Sequence, residues 1–235
     1  MAGTTIKISC EGGECSAYLA APAAGRGAGI VVIQEIFGVN AIVRAIADSY
    51  AARGYFALAP DLFWRLEPDV QLTDKTQGEW QQAIALMNKC DVGLAVKDIQ
   101  SAIATLRKTQ GCTGKIGAVG YCLGGLLAYL TAARTDADAS VSYYGVNIPN
   151  FLAERTQIKR PLMMHIAGKD QFVPPPAQKE ISDGLKGIAL VTMHIYPEQD
   201  HAFAREGGEH YDKQAADLAN TRSLEFFAKH LREAK

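Results

Sequence analysis

The chain has 235 residues, 48% of them hydrophobic and 21% charged, with a formal net charge of −1. This is the length of one α/β domain with a substantial core, expected to span residues 1–235. It lacks the basic stripe that nucleic acid or an anionic membrane would need. No secretory signal opens the sequence, and no apolar run approaches the ~20 residues that span a bilayer, so a cytoplasmic protein is expected. Five cysteines at irregular spacing, without paired CxxC units or HExxH, suggest neither a disulfide framework nor zinc.

In chain order, two short strands are expected near Thr4–Cys10 and Glu14–Ala20. GIVVIQEIFG is a continuous apolar run of strand length, as in a strand covered on both faces. Asn40 is placed to cap the helix AIVRAIADSYAARG, and YFALAP reads as the next strand. An irregular segment, Asp61–Gln77, leads into two helical stretches that break near Asn88–Gly93. Strand KIGAVGY with its helix follows, then strands ASVSYYG, PLMMHIAG and ALVTMHIYP, the last two separated by a helix around Ala177–Lys186. A final helix is expected over about Glu209–Leu231, with Tyr211, Ala215, Leu218, Leu224, Phe227 and Leu231 on its apolar face. This alternation predicts an α/β fold with a mainly parallel sheet flanked by helices on both faces.

The sequence Gly120-Tyr121-Cys122-Leu123-Gly124 lies between a predicted strand and a predicted helix. A sharp turn there holds its central residue in a strained conformation, and side chains two positions away on either side would strike backbone. A thiol at a helix N-terminus also faces free N–H groups and the positive end of the helix dipole, which favour its anion. Cys122 is therefore a candidate nucleophile, and the N–H of Leu123 a candidate oxyanion donor. The other four cysteines read as small, half-buried core residues.

Such a nucleophile needs a proton carrier and a group to orient it, both from loops after later strands. Asp170 follows PLMMHIAG and His201 follows ALVTMHIYP, in the chain order nucleophile, acid, histidine. The alternative role for Asp170 is an Asx turn alone, and Asp200 competes for the acid role. His165 and His194 lie within strands and read as core or face residues, and His210 and His230 as solvated residues of the last helix. Glu35 ends an apolar strand, where a carboxylate costs free energy unless it is paired. Ile36, beside it, is placed to give the second oxyanion N–H.

The segments QEIFGVN, the Pro-Asp of APDLF, GYCLGG, YYGV, GKDQFVP and DHAFAR together resemble the dienelactone hydrolase family of α/β-hydrolases. The resemblance extends from about Gly29 to the last helix. It implies a Cys122–His201–Asp170 triad and hydrolysis of an unsaturated cyclic enol lactone bearing a carboxylate, without cofactor or metal. It further implies that Glu35 rests against Arg205 and takes the thiol proton once substrate displaces it. Candidate substrate contacts are Arg205, Trp80, Ile84, Phe37 and Tyr144. The partner expected is a small ester or lactone, with the protein acting as a monomer.

One departure stands out. Family members that act on dienelactone hold its carboxylate partly through an arginine and a tyrosine one turn apart, where GEWQQAIALMN has Trp80 and Ile84. An arginine–carboxylate contact is worth roughly 1.5–3 kcal/mol, so a weakened carboxylate requirement is expected. A broad carboxylesterase or thioesterase on the same scaffold is the alternative, and a non-catalytic thiol-redox or ligand-binding protein is a third reading.

Overall fold

The computed structural model describes residues 3–231. Among the described residues, eight strands form one sheet in the order β1-β2-β4-β3-β5-β6-β7-β8. They are β1 (Thr4–Cys10), β2 (Gly13–Ala20), β3 (Gly27–Ile33), β4 (Phe56–Pro60), β5 (Cys112–Tyr121), β6 (Ala139–Tyr143), β7 (Leu162–Ala167) and β8 (Val191–Tyr196). β1 and β2 pair antiparallel, as do β2 and β4, and every pairing from β4 through β3 to β8 is parallel. Six α-helices among the described residues flank the sheet: α1 (Ala41–Ala52), α2 (Gln77–Lys89), α3 (Val92–Lys108), α4 (Leu123–Arg134), α5 (Pro175–Leu185) and α6 (Lys213–His230).

The continuous apolar run predicted a doubly covered strand, and Ile30, Val31, Val32 and Ile33 of β3 are all fully buried. α4 is apolar all round and buried from Leu123 to Ala132, as a helix wedged into the core must be. Chain order places β4 on one side of β3 and β5 on the other. The loops after β3 and β5 therefore diverge and leave a crevice at the C-terminal edge of the sheet, where ligands bind in open α/β folds.

Two expectations are corrected, and one element was not foreseen. The last helix begins at Lys213, because the Asp212 side chain caps it by accepting the Ala215 N–H at 2.8 Å. Tyr211 and His210 thus precede it. Leu218 is 45% exposed and lies outside the core. A 3-10 helix, Ile148–Gln157, had no periodic signal to reveal it. The break expected near Asn88–Gly93 is present, with Asp91 capping α3 through the Leu94 N–H at 3.0 Å.

The irregular segment between β4 and α2 is fastened to the body. The Leu62 N–H donates to Gln34 Oε1 (3.0 Å), and Asp61 accepts from Phe63 and Asp69 N–H. Asp98, fully buried on α3, accepts from Trp64 Nε1 (3.0 Å) and Arg65 Nη2 (3.0 Å). Removing one member of a buried ion pair strands the other, although Arg65 is partly exposed and solvent softens the loss. Asp98→Ala is expected to cost about 2 kcal/mol in urea unfolding, with most of it restored by Asp98→Asn.

Candidate active site

Cys122 occupies the turn between β5 and α4 with φ 56° and ψ −115°, a positive φ that non-glycine residues rarely adopt. Its N–H donates to Tyr143 O (3.1 Å), and its carbonyl accepts from Leu126 N–H (3.2 Å) and Val146 N–H (3.3 Å). A Cβ on Gly120 would overlap the Gly124 carbonyl, and one on Gly124 would lie 2.5 Å from Ile33 O and Gln34 O. The two glycines let β5, α4 and the end of β3 close around the cysteine. Leu123 is the first residue of α4, so its N–H has no acceptor within the helix.

Asp170 follows β7 and is 2% exposed; His201 follows β8 and is 5% exposed. His201 Nδ1 and Asp170 Oδ2 are 2.8 Å apart. Asp170 Oδ1 also accepts the N–H groups of Phe172 (2.8 Å) and Val173 (3.2 Å), so the carboxylate makes its Asx turn and holds the imidazole together. Asp200 instead accepts the backbone N–H of His201 at 2.6 Å, and its other oxygen lies 3.9 Å from His210. Burial disfavours a charged His201, but charge on the Cys122 sulfur when that thiol is ionised, together with the Asp170 carboxylate, outweighs it, lifting the imidazole to about 10. His165 behaves differently. It is buried against Tyr196 and Ser223 hydroxyls at 2.9 Å each, and burial drives it well below its ordinary value.

The second cluster centres on Arg205, 8% exposed. Its Nη1 donates to Glu35 Oε2 at 3.1 Å and its Nη2 to Asp74 Oδ2 at 2.9 Å. Its guanidinium carbon lies 5.4 Å from the centre of the Phe37 ring, which Trp80 meets edge-on at 5.2 Å. Glu35 Oε1, Arg205 Nε and the Tyr144 hydroxyl are buried with no hydrogen-bond partner. Tyr144 sits beside both clusters, its ring 5.1 Å from that of His201, and burial raises its hydroxyl well above the ordinary range.

A cavity of about 350 Å³ reaches His201 of the first cluster and Arg205 and Asp74 of the second, with Trp80 and Phe172 also in its wall; Cys122 and Glu35 are not among its lining residues. Trp80 stands in its wall as expected. Ile84, one turn further along α2, is 42% exposed and outside the lining, because the helix has carried that face past the rim. Phe37 is 2% exposed and lies behind Arg205 and Trp80, and Ile36 is likewise buried. Asp74 and Phe172 were not anticipated. Phe172 was readable as the residue two past Asp170, but nothing in the irregular segment distinguished Asp74. A cleft of similar volume, about 370 Å³, opens between α1 and α6 and holds neither cluster. Among the described residues no three His, Cys, Asp or Glu side chains are grouped to hold a metal ion, and no helix is long and apolar enough to cross a membrane.

Known proteins resemble this chain over nearly its whole length. The family model described as "Dienelactone hydrolase family" matches residues 15–231. A "Putative carboxymethylenebutenolidase" from Azospirillum brasilense is 48% identical over 231 residues, covering 97% of this chain and 99% of that one. The carboxymethylenebutenolidase of Pseudomonas putida is 39% identical over 220 residues, covering 94% and 93%. A crystal structure described as a "Putative Dienelactone Hydrolase" from Klebsiella pneumoniae superposes with a TM-score of 0.86 at 24% identity, covering 97% of this chain and 98% of that one, and so supports the fold. With a buried acid–histidine pair beside a cysteine elbow, and a family match that spans nearly every element of the sheet, this chain belongs to the dienelactone hydrolase family, a family of hydrolases.

Proposed function

We propose that this hydrolase cleaves activated esters and enol lactones through Cys122 as nucleophile, with His201 as proton carrier and Asp170 as its orienting partner. The observation that carries this reading is the buried 2.8 Å Asp170–His201 contact beside a cysteine at positive φ on a helix N-terminus. The sulfur attacks the acyl carbon, and the carbonyl oxygen gathers negative charge toward the Leu123 and Ile36 N–H groups. His201 gives a proton to the leaving oxygen, then takes one from the water that hydrolyses the thioester. Asp170 fixes the imidazole tautomer and stabilises its charged form.

In the same reading Glu35, paired with Arg205 at 3.1 Å, becomes the base for the thiol once substrate displaces it. Its unpartnered Oε1 is the atom available for that role. The chemistry also selects substrates. A thiolate is a good leaving group, so its tetrahedral adduct reverts unless the departing oxygen leaves comparably well. Phenolates and enolates do; alkoxides do not.

Steady-state kinetics should therefore show a kcat/KM for 4-nitrophenyl acetate at least about a thousandfold above that for ethyl acetate, and equal efficiencies would count against the thiol mechanism. Cys122→Ala and His201→Ala should each lower kcat/KM for the aryl ester by about 10³ or more, with the acyl adduct in intact mass spectra absent from Cys122→Ala. An NMR titration should place the His201 midpoint above 6.5, near 10 where the Cys122 sulfur is ionised, and lower in Cys122→Ala, which lacks that charge. The imidazolium thus persists through neutral pH and is lost as pH rises through that value. Asp170→Asn, which removes the charge, should lower the midpoint by at least about one unit.

A further inference from the structure

Arg205 is bound by two carboxylates from different parts of the chain, Glu35 after β3 and Asp74 before α2. Two buried carboxylates on one guanidinium leave the buried part of the cluster with an excess of one negative charge; Lys75 Nζ, 3.5 Å from Asp74 Oδ1, offsets it only from solvent, its side chain being 64% exposed. In a buried setting a further carboxylate meets that excess with little screening. The geometry is also unfavourable to an anion. A guanidinium grips a carboxylate with two parallel N–H bonds, end-on through Nη1 and Nη2 or side-on through Nε and Nη2. Asp74 occupies Nη2, the nitrogen common to both edges.

Asp74 is itself fixed. Trp80 Nε1 donates to the Asp74 carbonyl at 3.1 Å, and Lys75 Nζ donates to Gly207 O at 2.7 Å, joining this loop to the one that carries Arg205. The Asp74 side chain is 10% exposed and lines the cavity.

We propose that Asp74 is a specificity-determining residue that occupies Arg205 and turns the cavity away from carboxylate-bearing substrates toward neutral esters and lactones. This rests on the preceding reading that the acyl substrate lies in this cavity. Two arms test it, in wild type and Asp74→Asn. The first compares kcat/KM for 4-nitrophenyl acetate with that for mono-4-nitrophenyl succinate. The second measures calorimetric binding of butyranilide and of its carboxylate analogue glutaranilic acid, neither of which needs turnover. Asp74→Asn should shift the anion-to-neutral ratio toward the anion by about tenfold in both arms, mainly through KM in the first. Asp74→Ala should shift it the same way, since charge is the cause. An unmoved ratio overturns the proposal, as does failure of either anilide to bind any of the three proteins. If neither ester turns over while the binding ratio shifts, the hydrolytic reading fails and the role of Asp74 stands.

A separate observation carries a second inference. In the β1–β2 hairpin Cys10 faces Gly13 and Cys15 faces Ile8, so the two cysteines share one face of the sheet, and their sulfurs lie 2.8 Å apart. Cys15 is buried and Cys10 partly exposed. Arg65 lies close enough to feel charge on both sulfurs, and its Nη2 donates to Glu11 O in the turn.

We infer that Cys10 and Cys15 form a dithiol that hydrogen peroxide oxidises to a disulfide. The Cys10 thiolate attacks one peroxide oxygen, the O–O bond breaks, and hydroxide leaves to take up the proton released from the thiol. The Cys15 thiol then loses its proton as its sulfur displaces water from the Cys10 sulfenic acid, so two thiols are oxidised and one peroxide is reduced to two waters. Trypsin places both cysteines in one peptide, Ile8–Arg26. After stoichiometric peroxide, blocking with iodoacetamide and digestion, that peptide should be lighter by two hydrogens, unalkylated, and restored by dithiothreitol. Alkylation of both sulfurs, or sulfinic acid on Cys10 with Cys15 still alkylated, would overturn the inference.

Discussion

The backbone at Cys122 is held where a residue with a side chain does not settle unaided. Positive φ at a non-glycine position costs of order 1–3 kcal/mol and persists only when its surroundings enforce it. Here they do: the Cys122 N–H is tied to β6, its carbonyl to α4 and to the loop after β6, and Gly124 lies against the end of β3. The same contacts align the sulfur with the N-terminus of a helix buried from Leu123 to Ala132. Because β3 and β5 are neighbours, Glu35 and Ile36 leave the sheet beside that sulfur. Strain at one residue, sheet order and helix burial thus meet at the crevice where the groups of the site assemble.

Two electrostatic units share that crevice and are built differently. Asp170 and His201 form a one-to-one pair, and burial makes each dependent on the other's charge. Arg205 instead receives two acids, and the polar atoms around it are not all satisfied: Glu35 Oε1, Arg205 Nε and the Tyr144 hydroxyl are buried without partners. Orphaned groups of this kind are uncommon in a folded interior. Their clustering in one corner marks the part of the site with the most polar capacity left to engage a ligand.

How much of this the sequence discloses follows from the range of the forces involved. The elbow was legible because its requirement is local, two glycines two positions from a cysteine between a strand and a helix. Asp170 and His201 were legible because loops after consecutive parallel strands converge on one edge, so chain order stands in for distance. The start of α6 was misplaced because apolar spacing runs on through Tyr211, whereas Asp212 decides where the helix begins. Ile84 was misjudged because helical phase gives the face of a helix but not where a cavity ends. Asp74 could not be read at all. Its role depends on a partner 131 positions away, and its own neighbourhood is an irregular loop.

His165 gives the scaffold a different kind of constraint. Its two ring nitrogens are taken by Tyr196 on β8 and Ser223 on α6, and Ser223 also contacts the Tyr143 hydroxyl at 2.7 Å, which in turn donates to Asn220 at 2.9 Å. The final helix is therefore stitched to the interior by polar groups as well as by Phe226 and Phe227. Cutting the polypeptide ahead of Asn220 would strand an imidazole and a phenol in a dry interior. New chain ends for circular permutation or reporter insertion are better sited at the exposed turn of residues 186–187, where no such knot has to be undone.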